Sequence, residues 1–100
     1  MNNEIKNVIK YLILIIIKNI DEGDGASLKM INAAFIRLLR IKKIGDVIHD
    51  DFVLFEEIQT LFSENYISEN SNSNYYINHE GIDFIKTPAV ARLLPSDAYR

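Results

Sequence analysis

The chain has no cysteine, which excludes a disulfide framework and a thiolate metal site and makes an intracellular, cytoplasmic location the simpler expectation. It has only two histidines, His49 and His79, and neither has a second ligand at metal spacing or a convincing nucleophile nearby. No Ser/His/Asp or Cys/His set can be assembled. Gly23-Asp24-Gly25 lacks the further glycine, the lysine and the strand context of a phosphate loop. No catalytic residue, metal or cofactor is therefore expected. Positive charge is also short: 11 Lys and Arg against 14 Asp and Glu give a net charge of -3, and no general attraction to phosphate backbones. Long apolar runs are missing too. Tyr11–Ile17 is bounded by Lys10 and Lys18, far short of the roughly 20 residues a membrane span needs. Asn2-Asn3-Glu4 before an Ile-rich run does not make a signal peptide. A chain of 100 residues suffices for one domain with a modest core.

What the chain does have is helical periodicity. From residue 3 to about 20, Ile5, Val8, Ile9, Leu12, Ile13, Ile16, Ile17 and Ile20 fall on one face at about 100° per residue. Tyr11 and Ile15 widen that face, and Leu14 projects to the opposite side among Asn7, Lys10 and Asp21. A helix this apolar, built from β-branched residues that form helices poorly, must be held by packing. A small domain is not expected to cover it all the way round, so Tyr11 and Leu14 become candidate partner contacts, with homodimerisation through this helix as one form. The alternative is that Leu14 is a solitary exposed leucine.

Asp21-Glu22-Gly23-Asp24-Gly25 stops the helix, with Gly23 or Gly25 suited to a left-handed cap. Ser27 caps a second helix to about Ile41, whose core face is Leu28, Met30, Ile31, Ala34, Phe35, Leu38 and Leu39. Its outer face holds Lys29, Asn32, Ala33, Ile36 and Arg40, and Arg37–Lys43 (Arg37, Arg40, Lys42 and Lys43) is the one basic cluster. That cluster reads either as a contact for nucleic acid or an acidic surface, or as a solvated helix end complementing the carbonyl dipole. Gly45 marks the next turn, and His49, Asp50 or Asp51 is expected to begin a third helix. The Asp50-Asp51 pair is read as a cap, since no third acid accompanies it.

In the third helix Leu54, Phe55, Ile58, Leu61 and Phe62 are expected on one face. Tyr66-Ile67-Ser68 reads as a short strand, Glu69–Asn74 as a polar turn and Tyr75-Tyr76-Ile77 as a second strand. Asn78 is expected to cap a fourth helix bearing Ile82, Phe84 and Ile85, with Gly81 allowing close approach to a neighbouring helix. Thr87-Pro88 ends it.

The order helix, aromatic-aliphatic strand, polar wing, strand and Asn78-His79-Glu80-Gly81 helix start resembles the second half of a winged-helix domain. That resemblance implies an α+β, mostly helical fold over 1–94: a three-helix core, a two-stranded β-hairpin wing and a C-terminal helix. Residues 95–100 would form a tail. In DNA-binding members the third helix enters the major groove with Arg, Lys, Asn or Gln facing outward. Here the outward face reads Phe52, Val53, Glu56, Glu57, Gln59, Thr60, Ser63 and Glu64, without a Lys or Arg. Carboxylates facing a polyanion are repelled. The wing tip likewise has no cation for a minor groove.

Phe52, Val53, Glu56 and Glu57 instead resemble a protein interface, apolar in the centre with a charged rim. Leu93, Leu94 and Tyr99 are more apolar than a free tail and join the candidate partner contacts. The leading expectation is a non-catalytic adaptor that contacts a larger protein subunit, with DNA met only indirectly or through Arg37–Lys43. The alternative is a small DNA-binding transcriptional regulator using Lys29, Arg37, Arg40, Lys42 and Lys43. In size and layout, over roughly residues 5–86, the chain also resembles the small winged-helix middle components of ABC-three-component (Lamassu-type) anti-phage systems. That resemblance implies a subunit attached to an SMC-type ATPase near DNA.

Overall fold

The isoleucine-rich segment forms α1 (Asn3–Ile20), and the rest of the domain is wrapped around it. In the computed structural model, which describes residues 3–42 and 53–86, α1 packs against α2 (Leu28–Lys42), α3 (Leu54–Ser63), β2 (Tyr75–Ile77) and α4 (His79–Ile85). Leu14 is 0% and Tyr11 4% exposed, buried like Ile13 and Ile17 of the principal apolar face. The expectation that Leu14 and Tyr11 face a partner is therefore corrected. A helix apolar all round is a central helix, and here the domain's own elements cover each side. Homodimerisation through this helix loses its basis for the same reason. Burial of a Leu or Ile side chain contributes about 1.5–3 kcal/mol, enough to offset the poor helix propensity of the isoleucines.

α1 ends where expected. Asp21 Oδ1 accepts from the backbone N–H of Gly23 (2.8 Å) and Gly25 (2.9 Å), and both glycines have positive φ, 123° and 79°. Gly25 also lies so close to the β-hairpin that a Cβ would stand 2.9 Å from the Tyr75 carbonyl oxygen. Ala26 then exchanges two backbone hydrogen bonds with Tyr75 (2.7 and 2.8 Å), adding a one-residue rung to the hairpin. Ser27 caps α2 as expected, its Oγ accepting from the Met30 N–H at 3.2 Å. Ile31 and Phe35 carry the core face of α2, but Met30 is 50% exposed. It shares its side of the helix with Ala33 and Arg37, which are exposed, and so falls outside the inward arc.

α3 starts at Leu54 behind Val53, which provides no side-chain cap; His49, Asp50 and Asp51 lie outside the described residues. Leu54, Ile58 and Leu61 form a single inward row. The helix ends in a Schellman motif: Asn65 (φ 68°) donates to Phe62 O at 3.1 Å and Tyr66 to Leu61 O at 3.0 Å. Tyr66 is thus used in the turn, and β1 spans Ile67–Glu69, one residue later than expected. β1 pairs antiparallel with β2 in the register Ile67↔Ile77, Ser68↔Tyr76, Glu69↔Tyr75.

The polar tip is tied down. Asn70 Oδ1 accepts from the N–H groups of Asn72 (2.9 Å) and Asn74 (3.1 Å). Asn70 and Asn74 side chains both donate to the Asp24 carbonyl at 2.9 Å, and Asn72 donates to its carboxylate at 3.0 Å. The loop after α1 and the hairpin tip therefore hold each other.

Two expectations at the start of α4 are corrected. Asn78 occupies the N-cap position, but its side chain makes no cap bond. It accepts from Ser68 Oγ (2.7 Å) and donates to Asn65 O (3.2 Å), joining both ends of the hairpin instead. Gly81 meets the hairpin, not a neighbouring helix: a Cβ would stand 2.5 Å from Tyr66 O and 2.7 Å from Ile77 Cγ1. Thr87, Pro88 and the tail 95–100 lie outside the described residues. The mostly helical α+β class stands: the described residues form four helices and one two-stranded antiparallel sheet. No helix among them is long and apolar enough to cross a membrane.

Candidate functional site

The surface most unlike ordinary solvent-facing protein lies along α2 and α3. With Leu54, Ile58 and Leu61 turned inward, the residues beside them point outward. Phe55 and Phe62, expected in the core, are 48% and 44% exposed. A ten-residue helix offers one inward row to this small core, and two phenylalanines seven residues apart share its flank. Val53, before the helix, is 47% exposed. Met30 and Ile36 add exposed apolar surface on α2. Between the two helix starts runs a groove of about 450 Å³ lined by Leu28, Lys29, Asn32, Val53, Leu54 and Phe55.

Charge is divided between the helices. On α2, Lys29 and Arg40 lie on one exposed stripe with Ala33 and Ile36, and Arg37 is exposed beside them; the sequence 28–42 holds no carboxylate. α3 carries Glu56 and Glu57, followed by Glu64 at its C-cap, and no Lys or Arg. Glu56 is exposed. Glu64 is reached from α1 by Lys10, at 3.3 Å, and the same ammonium lies 5.7 Å from the Tyr66 ring centroid. Glu57 is half-buried. Burial pushes its carboxyl above the usual range, Lys10 and Lys6 oppose the rise, and Glu64 adds to it.

A carboxyl whose folded pKa is raised holds its proton more tightly folded than unfolded. Its stability contribution therefore falls as pH rises from the unfolded value of about 4.3 through the raised folded value. Glu57→Gln is expected to stabilise the chain modestly at neutral pH, and that advantage should shrink as pH falls into the carboxylate range. Thermal melts of both proteins at neutral and acidic pH check this. A gap that does not change with pH would contradict it.

Of the expected contacts, Val53, Glu56 and Glu57 therefore lie around the α3 surface, while Tyr11 and Leu14 belong to the core. Lys29, Arg37 and Arg40 lie on the exposed side of α2, and Lys42 is its last residue. Phe52, Lys43, Leu93, Leu94 and Tyr99 lie outside the described residues. Phe55, Phe62 and Met30 were not expected at the surface. The signal available was the side-by-side pairs Leu54/Leu61 and Phe55/Phe62, of which a short helix can bury only one.

This arrangement is suited to binding. The described residues contain no group of three metal-ligating side chains. His79 sits exposed on α4, 3.4 Å from Asp83 one turn on, which is a surface pair. Tyr75, buried and close to Glu69, is held well in its neutral form. Comparison with protein-family models, with curated proteins and with solved structures yields no match.

Proposed function

We propose that this chain is a non-catalytic winged-helix adaptor that uses the outer face of α3 to contact another protein. The order α1, Ala26 rung, α2, α3, hairpin and α4 supports the winged-helix reading, with β1 and β2 as the wing. One observation carries the functional reading: the solvent side of α3 presents Phe55, Phe62 and Glu56 where a groove reader would present cations. Exposed aromatics beside carboxylates favour a protein surface and oppose a polyanion. The resemblance to three-component defence systems supplies a partner class, a larger SMC-type ATPase subunit.

A DNA-binding regulator is the second reading, supported by the exposed Lys29, Arg37 and Arg40 of α2. Fluorescence anisotropy with a labelled duplex at about 50 and 200 mM salt separates the two, since each neutralised phosphate steepens the salt dependence. The adaptor reading predicts no saturable binding at either salt concentration. Saturable, salt-sensitive binding that is lost on Arg40→Glu with Lys43→Glu would establish the regulator instead.

A further inference from the structure

The cations of α2 stand without partners. Lys29, Arg37 and Arg40 are exposed, and none of them is paired with a carboxylate among the described residues. We infer that α2 and the groove at its start hold an acidic, amphipathic segment of the partner protein, with an apolar side chain seated in the groove and carboxylates along the helix. The inference rests on the adaptor reading, adds α2 to the contact and names the chemistry of what is held there.

Helical spacing puts Lys29, Ala33, Ile36 and Arg40 in one exposed row, three turns long and about 16 Å from end to end. The row begins at the groove. Lys29 and Asn32 contribute to the lining from α2, and Leu28, Val53, Leu54 and Phe55 make the rest, so Lys29 is its one charged residue. With no carboxylate anywhere in 28–42, this helix attracts an anionic partner. The apolar surface beside the cations decides which kind. Nucleic acid would meet three cations, lay its phosphates across Ile36 (43% exposed) and leave the apolar lining unused. A wholly apolar segment would desolvate Lys29 without a counter-charge, and a basic one would be repelled along the row. An amphipathic acidic segment satisfies both: its apolar side chain meets Leu28, Val53 and Phe55, and its carboxylates meet Lys29 and Arg40.

The probe is a labelled synthetic helical peptide of roughly four turns, leucines along one face and glutamates along the other. Its anisotropy is followed as the full chain is added, at about 50 and 200 mM salt. Saturable binding that weakens with salt is expected. A counterpart with lysine for every glutamate should not bind, and one with serine for every leucine should bind about tenfold more weakly. Lys29→Glu and Arg40→Glu should each weaken binding of the acidic peptide about tenfold, whereas Lys18→Glu, which removes an exposed cation of α1, should leave it unchanged. Phe55→Ser should weaken binding of the leucine-bearing peptide alone. These side chains are exposed, and unchanged circular dichroism confirms that the fold is kept.

A chain that binds neither peptide nor duplex DNA overturns the inference and leaves the α3 contact standing. Sedimentation velocity then tells whether a second copy or the chain itself fills the groove. Equal loss on Lys18→Glu, or equal affinity for the serine counterpart, reduces the binding to unspecific charge and also overturns the inference. Saturable duplex binding that is lost on Arg40→Glu overturns both the inference and the adaptor reading.

Discussion

Replacing Gly81 by Ala is expected to lower stability by about 2–3 kcal/mol, although Ala is the better helix former by about 1 kcal/mol. The added Cβ would enter a space already occupied, 2.5 Å from the Tyr66 carbonyl oxygen and 2.7 Å from Ile77 Cγ1. That carbonyl is not free to retreat. It accepts the Asn78 N–H at 2.9 Å, immediately after the Schellman turn that closes α3. Ile77 is fixed in turn by its pairing with Ile67. Relief must come from moving α4 away from the hairpin, which loosens the contacts of Ile85 and Phe84 with the core. For a domain of this size the loss corresponds to a fall of roughly 10–20 °C in Tm. Calorimetry of the two proteins decides the matter. An Ala variant more stable than the parent would mean that helix propensity outweighs the close approach.

Leu14→Ala is the second large effect. Leu14 is 0% exposed on a helix surrounded by the domain's other elements, and deleting its isobutyl group leaves a cavity. Such substitutions cost 2–5 kcal/mol, and about 3 kcal/mol is expected here. The measurement is the urea midpoint of the isolated chain, with the slope m checked for constancy. It separates two accounts of one residue. A partner-contact leucine, exposed in the free chain, would lose almost nothing on truncation. A core leucine loses most of its stabilisation in the absence of any partner.

The same residue marks where the sequence is hard to read. Helical periodicity locates α1 and its principal face correctly, but it assigns sides on the premise that one of them meets water. That premise fails for a helix enclosed by α2, α3, α4 and the hairpin, because enclosure is a property of topology that no helix's spacing records. Local chemistry is legible wherever a few adjacent residues determine the outcome. Ser27 caps α2, Asp21 and the two glycines close α1, and Tyr75-Tyr76-Ile77 forms a strand.

Long-range partners decide the remainder. Asn78 has the chemistry of an N-cap and sits in the N-cap position, yet Ser68 and Asn65 are better placed to occupy its side chain. At the candidate site the charges were readable and the aromatics were not. Glu56 lies on the expected outer face, whereas the exposure of Phe55 and Phe62 follows from how narrow an arc of α3 the small core can cover.

The central claim concerns the outer face of α3, and amide chemical-shift mapping addresses it residue by residue. With the ¹⁵N-labelled chain titrated with duplex DNA at low ionic strength, the account predicts that the amides of Phe55, Glu56, Gln59, Thr60 and Phe62 stay in place and that no shift on the basic side of α2 reaches saturation. Saturating shifts along that α3 stretch, reversed by added salt, would put the helix against phosphates or bases and contradict the account.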